Sequence, residues 1–255
     1  MNVSKLIPIA LHAAEMASIE ILDIYNSGNF QTEVKGDNSP LTLADKRAHH
    51  CIAKLLEPTG LPLLSEEGKE IRYEERKHWE YFWMIDPLDG TKEFLKRNGE
   101  FTVNIALIYK NTPVLGVVAV PVADEIYYGT KETGAFLKQD GKVIKLLPKV
   151  QAITLAESGL RVVASRSHMN EETEKFISSL KEPSLVSSGS SLKFMLLING
   201  KADVYPRFAP TMEWDTAAAQ AIVNSVGVQV FQWEEKKEQL VYNKESLLNP
   251  YFLCY

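Results

Sequence analysis

The chain has 255 residues, 45% of them hydrophobic and 24% charged, with a formal net charge of −5. That composition fits a globular protein with ample core, and the absence of any long basic run argues against a nucleic-acid polymer as partner. Its two cysteines, Cys51 and Cys254, make neither a disulfide framework nor a metal motif, so a reducing cytoplasm is the expected location.

From the N-terminus, Leu6, Ala10, Ala13, Ala17, Ile21 and Ile24 recur at helical spacing. They predict a helix over 3–26 that stops at Gly28. Glu15, Glu20 and Asp23 interrupt any apolar stretch there, which argues against a secretion signal. GDNSP (36–40) predicts a turn. A second helix is expected over 42–57, ended by Pro58 and Gly60. LPLLSEEG (61–68) reads as a short strand running into a loop. YFWMID (81–86), FTVNIALIYK (101–110) and TPVLGVVAVPV (112–122) read as buried strands. The longest apolar run, VLGVVAVPVA (114–123), is about half a membrane-spanning helix and contains Gly and Pro. DEIYYGT (124–130) and GAFLKQDGK (134–142) continue as a meander, with Asp140-Gly141 as a hairpin turn.

After about residue 150 the pattern changes. LRVVASRSH (160–168) predicts a strand entering a loop, and NEETEKFISSL (170–180) a helix. Residues 184–208 alternate strand, helix and strand, and DTAAAQAIVNSVG (215–227) is a helix closed by Gly227. The expected class is α/β, with an α+β first half and an α/β second half. The best boundary lies at 145–160, dividing a first subdomain (1–150), which carries most candidate site acids, from a second (151–255). His12, His49, His50 and His78 read as surface or packing residues. Trp79, Trp83, Trp214 and Trp233 read as core.

The chemistry concentrates where the strand at 81–86 ends. Asp86-Pro87-Leu88-Asp89 fits a four-residue β-turn, because proline presets its second position. Two carboxylates converging there would repel by roughly 4 kcal/mol at moderate effective dielectric. A hard divalent cation such as Mg²⁺ reverses that sign, and the Leu88 carbonyl offers a further oxygen ligand. Gly90 and Thr91 follow, and a helix opening at Thr91 would aim its first N–H groups at a phosphate. Glu66 and Glu67 end another apolar strand in the same unexpected way. Asp215 stands where a helix begins, either as a cap or as a ligand. Asp45, in Thr42-Leu43-Ala44-Asp45, fits a capping box and on these grounds alone is structural.

Glu66-Glu67, IDPLDGT (85–91) and WDTAA (214–218), in this order and spacing, resemble the inositol monophosphatase family across nearly the whole chain. SPLTLAD (39–45), ASRSH (164–168), GSSLKF (189–194), YPRFAPTMEWDTAA (205–218) and ESLLNPYF (245–252) are similar to its nucleotidase branch. That branch hydrolyses the 3'-phosphate of adenosine 3',5'-bisphosphate (PAP), and in some cases of its sulfated form PAPS, within sulfur metabolism. The resemblance implies a layered αβαβα sandwich and a magnesium-dependent, lithium-sensitive phosphatase with two or three ions per site. It implies Glu66, Asp86, Asp89 and Asp215 as metal ligands with the Leu88 carbonyl, and Glu67 beside them among the catalytic acids. It makes Asp45 the group that polarises Thr91 for water activation, overturning the structural reading of Asp45. Ser165, His168, Gly189 and Lys193 match positions that hold the nucleotide monophosphate, Arg166 and Arg207 are added cations, and the Gly90 and Thr91 amides face the phosphate. Ala209 departs from the glycine expected before Pro210. The resemblance also allows a peripheral place on the cytoplasmic face of the inner membrane, although no basic amphipathic segment supports it.

Two other readings compete. The same acids would serve an inositol monophosphatase or a fructose-bisphosphatase, but an inositol phosphate has no distal anion to need the donors that a nucleotide's 5'-phosphate requires. A non-catalytic sensor of nucleotide or metal would bind without turnover, and it would have no need of Thr91 with Asp45 behind it.

Overall fold

A computed structural model describes residues 1–34, 40–149, 153–164, 169–234 and 238–255. A 3-10 turn at Val3–Leu6 leads into helix α1 (Ile7–Ser27), which ends at Gly28 with φ 71. There the left-handed conformation costs glycine little. Ala10, Ala13, Ala14 and Ala17 are buried, so the small side chains let α1 lie close against α2 (Leu43–Leu56). Between them β1 (Glu33–Val34) pairs with β2 (Pro40–Leu41). The turn expected at 36–40 lies, apart from Pro40, outside the described residues.

Strands β3 (Leu63–Ser65), β4 (Tyr81–Asp89), β5 (Thr102–Tyr109), β6 (Thr112–Val120), β7 (Glu125–Thr130), β8 (Gly134–Gln139) and β9 (Lys142–Lys145) form one seven-stranded sheet in chain order. Only β3 and β4 are parallel; the others follow as the expected meander. Asp140 and Gly141 both have positive φ at the β8–β9 hairpin, as the favoured two-residue turn requires. Short helices α3 (Tyr73–Arg76) and α4 (Thr91–Leu95) flank β4.

The central strands are apolar on both faces because both are covered. Trp83, Ile85, Val103, Ile105 and Leu107 pack against α1 and α2. Phe82, Met84, Ala106, Ile108 and Val118 pack on the other side, against helices of the second half.

That second half begins with β10 (Arg161–Ala164), α5 (Glu171–Ser178) and β11 (Ser184–Ser187), a parallel β-α-β unit. Then come α6 (Leu192–Ile198), β12 (Tyr205–Arg207), α7 (Glu213–Ser225), β13 (Val230–Gln232) and β14 (Phe252–Cys254). Helix α7 lies so close to the first sheet that a Cβ at Gly116 would collide with the Ala218 carbonyl. Beyond α6 and α7 sits a small antiparallel sheet, β12–β14–β13, joined to β10 by a bridge between Val162 and Val204. Phe176 of α5 packs over it with Phe208 and Leu253. The layers therefore run α1/α2, seven-stranded sheet, α6/α7, small sheet, α5: the mixed α/β sandwich that was expected. The sequence pattern did not predict the antiparallel C-terminal strands β13 and β14, which are three residues each and too short for a periodic signal. Among the described residues no helix is long and apolar enough to cross a membrane.

Candidate active site

The segment 86–89 is not the β-turn expected from its proline. It stays within β4, with a register irregularity: Asp86 pairs with Asn104 and Asp89 with Thr102. Three steps along β4 thus face two along β5, which is a β-bulge. In a regular strand, side chains three apart point to opposite faces. The extra residue resets the alternation and lets both acids serve one side. The Leu88 N–H donates to Asp86 Oδ1 at 3.0 Å, fixing the bulge from within.

Glu66 reaches the same place from the end of β3, where its N–H donates to the Ile85 carbonyl at 3.2 Å. Asp215 arrives from the first turn of α7. Carboxylate oxygens of Glu66, Asp86 and Asp215 lie within 4.8 Å of one another. Asp86 is 2% exposed. Burial, then the charges of Glu66, Asp89, Asp215 and Asp45, holds its carboxyl well above the usual range. Burial, then Asp89 and Glu66, does the same to Asp215. The donor set is all oxygen, anionic and mutually repelling, with no imidazole or thiolate in the group. That chemistry fits a hard divalent cation.

Asp89 stands beside this trio. Its Oδ2 accepts from Ser191 Oγ at 3.1 Å, and from Thr102 Oγ1 and Asn104 Nδ2 at 3.5 Å each. Burial raises the Asp89 carboxyl, against the pull of Lys193 and Ser191. Glu67 is not in the trio; its N–H is tied to Ser65 Oγ at 3.3 Å. The Leu88 carbonyl faces Thr91 Oγ1 at 3.4 Å.

Asp45 occupies the third position of α2, and the capping box is real. Its Oδ2 accepts from the Thr42 N–H at 2.8 Å and from Thr42 Oγ1 at 2.5 Å. Its other oxygen, Oδ1, accepts from Thr91 Oγ1 at 3.3 Å. The capping role of Asp45 thus leaves its other oxygen to Thr91.

A cleft of about 280 Å³ has Asp89 and Asp215 in its lining. Its lining joins an acidic group, Asp89, Gly90, Thr91 and Asp215, to a basic one, Gly189, Ser190, Lys193 and Arg207. Gly90 has φ 95, and a Cβ at Gly189 would come within 2.7 Å of the Glu100 carbonyl. Glycine at 189 thus lets the 189–193 segment close over the start of β5. Lys193 is buried, and burial pushes its ammonium down to about 8 against the pull of Asp89. Among the described residues, Arg207 Nε and Ser190 Oγ are buried without a hydrogen-bond partner. Unsatisfied buried donors are costly, and an anion at this end would relieve them. The predicted Ser165, Arg166 and His168 lie outside the described residues.

Sequence reasoning missed Ser191, Thr102 and Asn104. Two polar side chains at alternate positions of the apolar strand FTVNIALIY are a signal for the last two. Ser191 meets Asp89 across 102 residues of chain, and nothing local announces that.

The model of the inositol monophosphatase family matches residues 2–251. The 3'(2'),5'-bisphosphate nucleotidase CysQ of Salmonella typhimurium is 44% identical over 243 residues, 94% of this chain and 95% of the relative. The enzyme of the same name from Escherichia coli (strain K12) is 44% identical over 244 residues, with the same coverage. The crystal structure of CysQ from Bacteroides thetaiotaomicron superposes with a TM-score of 0.82 at 46% identity, covering 96% of this chain and 95% of that one. With sequence and fold in agreement over nearly its full length, the chain belongs to the inositol monophosphatase family.

Proposed function

We propose that this chain is a magnesium-dependent phosphatase that cleaves the 3'-phosphate of adenosine 3',5'-bisphosphate, giving AMP and phosphate. The sulfated analogue PAPS, cleaved to APS, is a second substrate by the same chemistry, and the reaction belongs to sulfur assimilation in the cytoplasm. One observation carries the reading: the cleft that reaches the mutually repelling carboxylates through Asp89 and Asp215 also contains the unsatisfied buried donors of Ser190 and Arg207. A substrate with two phosphates and a nucleoside between them suits that polarity. The nucleotidase names of the relatives support the same choice.

Glu66, Asp86, Asp89, Asp215 and the Leu88 carbonyl would hold two or three Mg²⁺. Bound there, the ions supply positive charge to the phosphoryl oxygens and acidify the attacking water. The chain's own groups supply direction. Thr91 Oγ1 has Asp45 Oδ1 at 3.3 Å and the Leu88 carbonyl at 3.4 Å; with its proton on Asp45 it would offer a lone pair to a water proton. Thr42 holds Asp45 in that orientation through two hydrogen bonds. Water would attack phosphorus as it gives up a proton toward Thr91 and Asp45, the bond to the 3'-oxygen would break, and that oxygen would take a proton from solvent. Glu67 belongs to the same acidic turn. The N–H groups of Gly90 and Thr91 steady the phosphoryl oxygens as fixed dipoles. Lys193, Arg207 and Gly189, with Ser165, Arg166 and His168, take the 5'-phosphate and ribose.

Phosphate release from PAP, AMP and inositol 1-phosphate, with and without Mg²⁺, tests this. PAP is expected to be strongly preferred and the reaction to need the ion. Preference for inositol 1-phosphate would move the chain to another branch of the family, and binding without release would make it a sensor.

A further inference from the structure

The two ends of the cleft are mechanically joined at one buried hydroxyl. Ser191 is 1% exposed. Its Oγ lies 3.1 Å from Asp89 Oδ2 and 2.9 Å from the main-chain oxygen of Asp215. It sits between Ser190 and Lys193, which line the basic end, and it touches the acidic end through both neighbours. A hydroxyl has one proton. With two acceptors in reach it donates fully to only one, so the orientation of Asp89 depends on where the 189–193 segment rests.

That segment is poised rather than settled. Ser190 has φ 44, a left-handed conformation that costs a non-glycine residue energy, and its Oγ is buried without a partner among the described residues. Arg207 Nε, in the lining of the same cleft, is also buried without a partner among the described residues. An anion that satisfies these donors also fixes Ser191 and, through it, Asp89.

We infer that Ser191 is a positioning residue that makes the two ends cooperative: a nucleoside 5'-monophosphate in the basic end tightens the hold of the acidic end on a divalent cation, and the tightening passes through the Ser191 hydroxyl. This rests on the nucleotidase reading of the basic end. By linkage the effect is reciprocal, so the cation tightens nucleotide binding by the same factor.

Calorimetric titration of the full-length, cation-stripped protein with MgCl₂, with and without saturating AMP, measures the coupling directly. In the unaltered protein AMP is expected to lower the Mg²⁺ dissociation constant by roughly 5-fold or more, the lower range for coupled sites. In Ser191→Ala the factor falls below about 2-fold, while AMP still binds and the melting temperature stays close to that of the parent. Ser191→Cys, nearly the same size and a weak donor, repeats the test if alanine leaves too large a void. Coupling retained in both variants, or no coupling in the parent protein, overturns the inference. The two readings fail differently: a parent that neither cleaves PAP nor binds AMP sinks the nucleotidase reading as well, whereas a parent that cleaves PAP beside variants with intact coupling sinks only the role of Ser191.

Discussion

The first turns of α2 and α7 use the same device for different ends. In each, an aspartate at the third helical position turns back to accept the N–H of the residue before the helix: Asp45 from Thr42, Asp215 from Met212. In each, that bond holds the carboxylate at the centre of the molecule. The difference lies in the capping residue. Thr42 adds a hydroxyl, so Asp45 Oδ2 is held twice and Oδ1 meets Thr91. Met212 offers only its backbone, and Asp215 lies within 4.8 Å of Glu66 and Asp86. One cap presents a proton acceptor and the other a charge. A capping box thus does not exhaust a carboxylate, because its second oxygen stays available to another partner.

The sharpest test compares the two aspartates. Asp215→Asn is expected to lower PAP hydrolysis by about 10²–10³-fold, as for other groups that stabilise transition-state charge, and to weaken Mg²⁺ binding in calorimetry. The same variant removes a like charge, so without cation at neutral pH it should melt no lower than the parent, and about 2–4 °C higher per kcal/mol of repulsion relieved. Asp45→Asn should lower turnover by about 10²–10⁴-fold, the range for general acid–base groups, while leaving the Mg²⁺ dissociation constant nearly unchanged. Equal loss of cation affinity in both variants would break the comparison. Adding Mg²⁺ at 100 times its dissociation constant should stabilise the parent by about 2.7 kcal/mol, seen as a rise in melting temperature, and should stabilise Asp215→Asn much less. Thr42→Val removes a hydroxyl cap and should cost about 1 kcal/mol of stability as well as turnover. Met212→Ala keeps the backbone bond, so Asp215 stays anchored and turnover stays close to the parent's.

The smallest effect is expected at Asp203, an acid with the opposite environment. Its carboxyl is hydrogen-bonded to Arg161, which holds it below the usual range. A depressed carboxyl stabilises the fold above its unfolded pKa, and that contribution is lost as pH falls through the folded value. The Arg161 side chain is 41% exposed, so Arg161→Met should cost only about 1 kcal/mol at pH 7. In urea titrations the deficit should shrink below about pH 4, near the unfolded carboxylate value, with PAP hydrolysis unchanged.

Much of the fold could be read from the chain because it rests on local signals: the 3.6-residue period of α1, the successive apolar strands of the meander, the positive-φ pair at 140–141. Glu66, Glu67 and Asp86 were legible too, because they end apolar runs, and Asp215 because it stands at a helix start. What was not legible depends on distant partners. Asp45 looked structural because its local role is structural; Thr91, which gives it a second one, lies 46 residues away. Pro87 signalled a turn, yet pairing with β5 kept the segment extended, a tertiary override of local preference. Ser191 carries no local pattern, because both its partners belong to other elements.

The extra residue in β4 also makes the length of the 86–89 segment a design constraint. Deleting one position there would restore strict alternation and swing one carboxylate out of the cleft toward Phe94, Phe101 and the helices behind the sheet, where a charge meets only hydrocarbon. The β8–β9 hairpin, exposed at the far edge of the same sheet, has no such restriction. Length changes in homologous chains should therefore collect at the hairpin and avoid the bulge, and a chain of altered spacing at 86–89 should not fold with its acids gathered at all.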